Sequence, residues 1–280
     1  VEECNYVQVI EGLVDSSHLG LLHMDGLKAS GGTDLGYAQK INSMQRQLAP
    51  RQEVQDTEFG FYYAAMREFP GTADAPGHVE GRVAAFVAPC IVLNPNGDIA
   101  SWIVPASDTR TVFFHCFWSE REALGAEPLR SRQLKFVGLA PEALTAFGLT
   151  DDTIGRRGTP GPENRFHQDR TAMREGRSFS GLPGLVEEDV AVAVASGPVR
   201  PRATEVLSAS DVGIVRLYRC LLDAAASLEA GRALPAQRPG LDWRTVVGAN
   251  GRLDGRPWAA LLPPFRGRGD VVPAQETLDA

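Results

Sequence analysis

The sequence predicts an α+β fold, in which a long C-terminal helix packs across a curved antiparallel sheet. Segments with strand character come first, between residues 58 and 118, and segments with helix character follow, between residues 164 and 230. Strands first and helices afterwards is the order typical of α+β proteins. The strand segments are sequential and close together, which favours an antiparallel meander. With 280 residues, 43% of them hydrophobic, the chain can bury a sizeable core.

The chain opens with an amphipathic segment. The spacing of its apolar residues predicts a helix over Tyr6–Leu19, with Glu11, Asp15 and His18 along its polar stripe. Residues 28–57 are polar, glycine-bearing and weakly periodic, and we interpret them as a loop or lid.

Aromatic and β-branched residues then mark the strands. Asn94–Gly97 is a strong turn signal between two of them. The predicted strands are Glu58–Met66, Val79–Leu93 with an interruption at Pro89, Ile99–Val104 and Thr109–Trp118.

The remaining chain is predicted to leave the sheet and become helical. Residues 119–162 are charged and contain proline and glycine breakers, so we expect an excursion. The predicted helices are Asn164–Gly176, Val186–Ser196 and Ser210–Ala230, the longest, capped by Ser208 or Ser210. We predict one domain over residues 1–233, with a tail over residues 234–280 that lies on the surface of this domain.

Composition excludes several partner classes. A net charge of −7 and a pI near 5.3 argue against nucleic acid, because phosphate contacts need an excess of Lys and Arg. There is no run of about eighteen apolar residues and no signal-peptide pattern, so we expect a soluble, cytoplasmic chain with no membrane partner. The four cysteines are widely spaced, which predicts reduced, mostly buried thiols.

Two of the five histidines, His18 and His23, lie five residues apart near Asp15, and they suggest half of a metal site. On a straight helix they would point roughly 140° apart, so binding one ion requires the helix to end or distort near Gly20. The alternative is that both histidines make ordinary hydrogen bonds. Spacing does not choose a third ligand among six later acids: Asp151, Asp152, Asp169, Glu187, Glu188 and Asp189. Asp189 has the advantage of preceding an apolar helix, at the margin of the core.

Two blocks of the sequence resemble one family. Residues 5–23 read NYVQVIEGLVDSSHLGLLH, and residues 178–198 read SFSGLPGLVEEDVAVAVASGP. They resemble the catalytic domain of the large subunit of Rieske non-heme iron ring-hydroxylating oxygenases of the phthalate dioxygenase type. The resemblance spans roughly residues 4–225 and implies a helix-grip, START-like fold.

The resemblance also implies the roles of four residues. His18 and His23 would bind a mononuclear Fe(II), and Asp189 would be the third ligand. Asp15 would hydrogen-bond an iron-ligating histidine and bridge toward the Rieske cluster of a neighbouring subunit in a homotrimer. Electrons would come from NAD(P)H through a reductase or ferredoxin and that cluster.

One feature departs from the family. Its members hold a [2Fe-2S] cluster with Cys-x-His and Cys-x-x-His pairs. No cysteine of this sequence is followed by histidine at either spacing. We therefore expect that the Rieske domain lay upstream of Val1 and is absent from this chain.

The expected substrate is an aromatic, carboxylated compound that is hydroxylated or O-demethylated with O2. Candidate lining residues are Phe59, Phe61, Tyr63, Phe86, Phe113, Phe117 and Trp118, and candidate carboxylate partners are Arg67, Arg82 and Arg110. The other histidines, His78, His115 and His167, are interpreted as surface or packing residues. Two alternatives stay open: a non-catalytic START-like binding module, and a zinc hydrolase that uses the same triad.

Overall fold

The computed structural model describes residues 1–25, 47–73, 76–97, 99–119, 122–237, 240–263 and 268–273. Most of the predicted loop or lid therefore lies outside the described residues. The chain divides into two compact units. The first unit comprises Val1–Gly12, His18–Leu48 and Ile103–Ala203, and the second comprises Leu13–Ser17, Ala49–Trp102 and Thr204–Ala280.

The predicted α+β class, with a curved antiparallel sheet and a C-terminal helix, is confirmed. The helices are α1 (Tyr6–Leu13), α2 (Leu19–Leu22), α3 (Leu129–Val137), α4 (Pro141–Phe147), α5 (Arg170–Arg174), α6 (Leu185–Ala195) and α7 (Val212–Glu229). The strands are β1 (Arg51–Thr57), β2 (Gly60–Phe69), β3 (His78–Val87), β4 (Ile91–Leu93), β5 (Ile99–Ser107), β6 (Arg110–Phe117), β7 (Ala249–Arg252) and β8 (Arg268–Pro273). Short 3₁₀ turns lie at Pro162–His167, Arg202–Thr204, Ala209–Asp211, Trp243–Thr245 and Trp258–Leu261.

The sheet of the second unit is the predicted meander. Strands β1 to β5 pair antiparallel in chain order, from Arg51↔Met66 between β1 and β2 to Ile91↔Trp102 between β4 and β5. Strand β1 was predicted as loop, and that prediction is wrong. Its sequence is polar, and its strand form depends on ladders with β2 on one side and β8 on the other.

The predicted surface tail is part of this sheet and its core. Strand β7 pairs with β3, and β8 pairs with β1. Trp258 and Leu262 are buried against Tyr62 and Val83 in the hydrophobic core of the second unit. Proline- and glycine-rich composition alone did not reveal these strands, because both depend on partners far away in sequence.

The long helix α7 packs on β1 and β2 in the second unit. Gly213 in its first turn lies so close to the carbonyl oxygen of Val14 that a Cβ there would come within 2.6 Å of that oxygen. The guanidinium of Arg216 pairs with Asp56 of β1 at 2.5 Å. Leu217 and Cys220 are buried, and because they are three residues apart they lie on the same side of the helix.

The first unit carries helices α1 to α6 and strand β6, with a core of Phe147, Leu149, Phe166, Val190 and Ala191. The predicted helix over residues 164–176 is wrong. Arg165, Phe166 and His167 have φ values of 56°, 54° and 52°, a left-handed backbone that cannot continue a right-handed helix. A separate helix, α5, begins at Arg170 after the capping residue Asp169.

None of the helices within the described ranges is long and apolar enough to cross a membrane.

Candidate metal centre

Three predicted ligands converge in the first unit. One ligand atom from each of His18, His23 and Asp189 lies within 4.8 Å of the other two. The Oδ1 atom of Asp189 is 3.1 Å from Nε2 of His23 and 3.8 Å from Nε2 of His18. The two rings meet edge to face, with 5.3 Å between their centroids. His23 is almost fully buried, whereas half of the Asp189 side chain is exposed.

The local chain path explains why the two imidazoles can meet. The predicted helix over residues 6–19 is wrong, because α1 ends at Leu13 and the four-residue helix α2 begins only at Leu19. His18 precedes α2 and His23 follows it, so neither ring is held at the divergent angle of a continuous helix. The carbonyl of His18 accepts hydrogen bonds from the amides of Leu21 and Leu22, which closes this single turn.

The third member comes from the N-terminal half of α6. Glu188 lies in the first turn of this helix, which follows the extended residue Gly184, and Asp189 comes directly after Glu188. Carboxylates are favoured near a helix N-terminus, where backbone amides carry partial positive charge. Glu188 Oε2 lies 2.7 Å from Nδ1 of His23, and both side chains are 3% exposed. The hydroxyl of Ser180 donates to Glu188 Oε1 at 2.5 Å.

Neighbouring charges shift the pKa values of His23 and Asp189. Burial lowers the pKa of His23, but the charge and hydrogen bond of Asp189, together with those of Glu188, outweigh it and raise the pKa to about 9. Desolvation raises the pKa of Asp189, yet the attraction of His23 and smaller effects of His18 and His115 bring it below the usual value. His23 and Asp189 therefore favour each other's charged forms.

His115 lies on β6 and interacts electrostatically with Asp189. It stacks between Phe113, at 4.4 Å between centroids, and Phe117, at 5.6 Å. Burial lowers the pKa of His115 to about 4, and the charge of Asp189 only partly offsets this. Its ring is therefore neutral at pH 7. His115 was predicted to be a surface or packing residue. The sequence signal for its place beside Asp189 is its position between two phenylalanines at strand spacing.

Further contacts tie the N-terminal segment to the region around α6. Asp25 Oδ2 accepts hydrogen bonds from the Ser178 hydroxyl at 2.8 Å and from the Phe179 amide at 2.7 Å. The carboxylate of Glu11 pairs with Arg200 at 2.8 Å and with Arg202 at 2.6 Å. These contacts join the segment that carries both histidines to the segments on either side of α6.

The side-chain amide of Gln8 adds to these ties by donating to the carbonyls of Ala193 and Gly197 at 2.9 and 3.0 Å.

Asp15 belongs to the second unit, in a turn that is fixed from several sides. Its Oδ1 atom accepts a hydrogen bond from the Ser17 amide at 2.7 Å. The amide of Ser16 donates to the Tyr63 hydroxyl at 2.9 Å, and the buried guanidinium of Arg67 donates to the Ser16 hydroxyl and carbonyl at 3.1 and 2.7 Å. The predicted role of Asp15 stays a prediction.

The other acids considered as third ligand have different contacts. Asp151 pairs with Arg110, Asp152 accepts from Thr150, and Asp169 caps α5 through the amide of Ala172. Glu187 is buried, and Glu188 contacts the far nitrogen of His23.

The candidate carboxylate-binding arginines are also engaged within the protein. Arg67 contacts Ser16, Arg82 donates to Asn96 at 3.0 Å, and Arg110 pairs with Asp151 at 2.6 Å.

The donor set of the triad fits a first-row divalent metal ion. Two imidazole nitrogens and one carboxylate oxygen are the ligands of the facial triad of non-heme iron. Ligand atoms that share one ion at bond lengths near 2 Å lie about 3 Å apart, close to the separations from Asp189 to the two histidines.

Comparison with known proteins now identifies the family. The model of the family described as LigXa C-terminal domain like matches residues 1–239. The chain belongs to this family. It is also 34% identical over 235 residues to the phthalate 4,5-dioxygenase oxygenase subunit of Pseudomonas putida, covering 82% of this chain and 50% of the relative.

A second relative agrees with this assignment. The 3-chlorobenzoate-3,4-dioxygenase oxygenase subunit of Comamonas testosteroni is 34% identical over 245 residues, which cover 85% of this chain and 54% of that protein. The resemblance to ring-hydroxylating oxygenases of the phthalate dioxygenase type is thereby confirmed. The chain spans about half the length of the curated relatives it matches.

Proposed function

We propose that this chain is the catalytic domain of an oxygenase that hydroxylates or O-demethylates an aromatic, carboxylated compound. His18, His23 and Asp189 would hold a mononuclear non-heme Fe(II). The observation that carries the proposal is the convergence of these three side chains in a member of this family. Two imidazoles and one carboxylate leave open coordination positions, so a bound Fe(II) would supply the chemistry that activates dioxygen.

The names of the relatives and one strip of aromatic side chains in this chain support the proposed substrate class. Their names specify phthalate and 3-chlorobenzoate, which are both aromatic carboxylic acids. In this proposal the strip of Phe113, His115 and Phe117 forms one wall of the substrate site. Its rings would pack on the substrate ring and exclude water, and the neutral His115 would offer a polar group without adding charge.

Electrons would arrive from NAD(P)H through a reductase or ferredoxin and a Rieske cluster in a homotrimeric full-length protein. Asp15 would connect that cluster with an iron-ligating histidine. Its carboxylate accepts the Ser17 amide, and the adjacent Ser16 is fixed by Tyr63 and Arg67. A rigid turn supports this role, because electron transfer between fixed groups requires a reproducible geometry.

Metal content and oxygen consumption test the proposal. We expect purified full-length protein to contain stoichiometric iron and to consume oxygen with reductase, NAD(P)H and an aromatic acid. His18→Ala and Asp189→Ala should lose the iron while the circular dichroism spectrum stays native. His78→Ala is the matched control, because His78 lies on β3 and stacks on Phe69 outside the triad.

Two outcomes would contradict the proposal. Folded wild-type protein that takes up no iron would favour a non-catalytic START-like binding module. Turnover without reductant and without oxygen uptake, supported by zinc, would favour a hydrolase.

A further inference from the structure

The buried imidazole of His23 is held at both of its nitrogens by consecutive residues of α6. Glu188 Oε2 lies 2.7 Å from Nδ1, and Asp189 Oδ1 lies 3.1 Å from Nε2. Consecutive residues of a helix are about 100° apart, so one turn can place two carboxylates on two edges of the same ring. Glu188 occupies the edge that faces away from His18 and Asp189.

The Glu188 contact fixes the tautomer of His23. An ionised carboxylate can only accept hydrogen bonds, so the short contact requires the proton on Nδ1. A metal ion that replaces the proton on Nε2 would then bind the lone pair of that nitrogen, while the proton on Nδ1 stays with Glu188. With both side chains 3% exposed, water does not compete for either atom.

Glu188 is itself held in place. Ser180, which is 6% exposed, donates its hydroxyl hydrogen to Glu188 Oε1 at 2.5 Å. The same hydroxyl oxygen accepts the Leu182 amide at 3.1 Å. Both carboxylate oxygens of Glu188 therefore have a partner, and the carboxylate cannot rotate away from His23 without breaking a buried hydrogen bond.

We infer that Glu188 is a positioning residue of the metal centre, which keeps the proton of His23 on Nδ1 and its Nε2 directed at the ion. This inference rests on the proposed function, since it requires that the triad binds metal. A carboxylate hydrogen-bonded to the far nitrogen of a ligating histidine makes that histidine a stronger donor. Ser180 supports Glu188 from the other side.

Co(II) binding to the full-length protein tests the inference without turnover. Affinity is measured by competition with a chromophoric chelator, and the EPR spectrum of bound Co(II) reports the ligand field. We expect Glu188→Ala to weaken binding about 10- to 100-fold and to change the EPR spectrum. Glu188→Gln keeps an acceptor for Nδ1–H, so it should recover part of the affinity while the spectrum still differs from wild type.

Glu187→Gln is the matched control. Glu187 is also buried in the first turn of α6 and carries the same functional group, but the described contacts of Glu187 include none with the triad. It should bind Co(II) like wild type.

The outcomes separate the inference from the proposed function. Wild-type protein that binds no Co(II) refutes the proposed metal centre itself. Wild-type binding with unchanged affinity and spectrum in folded Glu188→Ala refutes the positioning role alone. If Glu188→Ala does not fold, Glu188→Gln decides: a wild-type spectrum and affinity in that variant would overturn the inference.

Discussion

Truncation of Glu11 tests how the two halves of the candidate metal centre are held together. Its carboxylate is 5% exposed on α1 and receives Arg200 at 2.8 Å and Arg202 at 2.6 Å. Both arginines follow α6, which carries Asp189. Glu11→Ala therefore removes two charge-assisted hydrogen bonds that join the N-terminal segment to the chain after α6.

The expected cost follows from the exposure of each partner. A hydrogen bond to a charged group contributes about 1.5–3 kcal/mol. The two guanidinium groups are 31% and 37% exposed, so they are partly rehydrated after truncation and partly screened before it. Taking the lower value for each bond, Glu11→Ala should lower the free energy of unfolding by about 3 kcal/mol. At roughly 2–4 °C per kcal/mol for a chain of this size, the melting temperature should fall by roughly 6–12 °C.

Differential scanning calorimetry measures this effect, with Glu175→Ala as the control. Glu175 pairs with Arg177 at 2.6 Å, but both side chains are more than half exposed, so its loss should leave the melting temperature nearly unchanged. Arg202→Ala should give about half of the Glu11 effect, because one bond remains. If Glu11→Ala and Glu175→Ala have the same melting temperature, the assignment of stability to the ion pairs of Glu11 is wrong.

Two further predictions concern buried groups. Arg67→Met should destabilise the protein by about 1–3 kcal/mol in urea unfolding, because the buried carbonyl of Ser16 loses its donor; a stabilised variant would contradict this. Burial raises the pKa of the Cys4 thiol to about 12 and that of Cys220 to about 11, so both stay protonated at pH 8. Iodoacetamide at pH 8 should therefore label the exposed Cys116 and leave Cys4 and Cys220 unlabelled until the protein unfolds. Peptide mass spectrometry identifies the labelled cysteines, and labelling of Cys4 or Cys220 in the folded protein would contradict this prediction.

The sequence predicted the strands whose own composition determines them. Strands β2, β3, β5 and β6 are rich in aromatic and β-branched residues and lie where the pattern placed them. Strand β1 is polar, and β7 is polar and only four residues long. The form of β1 depends on ladders with β2 and β8, and the form of β7 depends on a ladder with β3. Strands β8 and β3 lie far from these strands in sequence, so the pattern within one short window does not contain that information.

The helix prediction failed for a related reason. Apolar spacing continues past Leu13, but the chain leaves α1 there to form the turn around Ser16. Two hydrogen bonds with β2 compensate for the interrupted helix: the Tyr63 hydroxyl accepts from the Ser16 amide, and Arg67 donates to the Ser16 carbonyl. The histidines of the proposed triad could therefore be singled out from the sequence, while the path that lets their rings meet could not.

The three consecutive acids of α6 show where local sequence ceases to be informative. Glu187, Glu188 and Asp189 have nearly the same chemistry, yet one is buried away from the triad, one contacts Nδ1 of His23 and one faces Nε2. Because each step along a helix turns about 100°, their roles depend entirely on where His23 lies around the helix axis. His23 is 165 residues away from Glu188 in sequence. A rotation of α6 by one residue could therefore bring Glu188 to the place of Asp189, and Glu187 to the place of Glu188, without changing any local pattern.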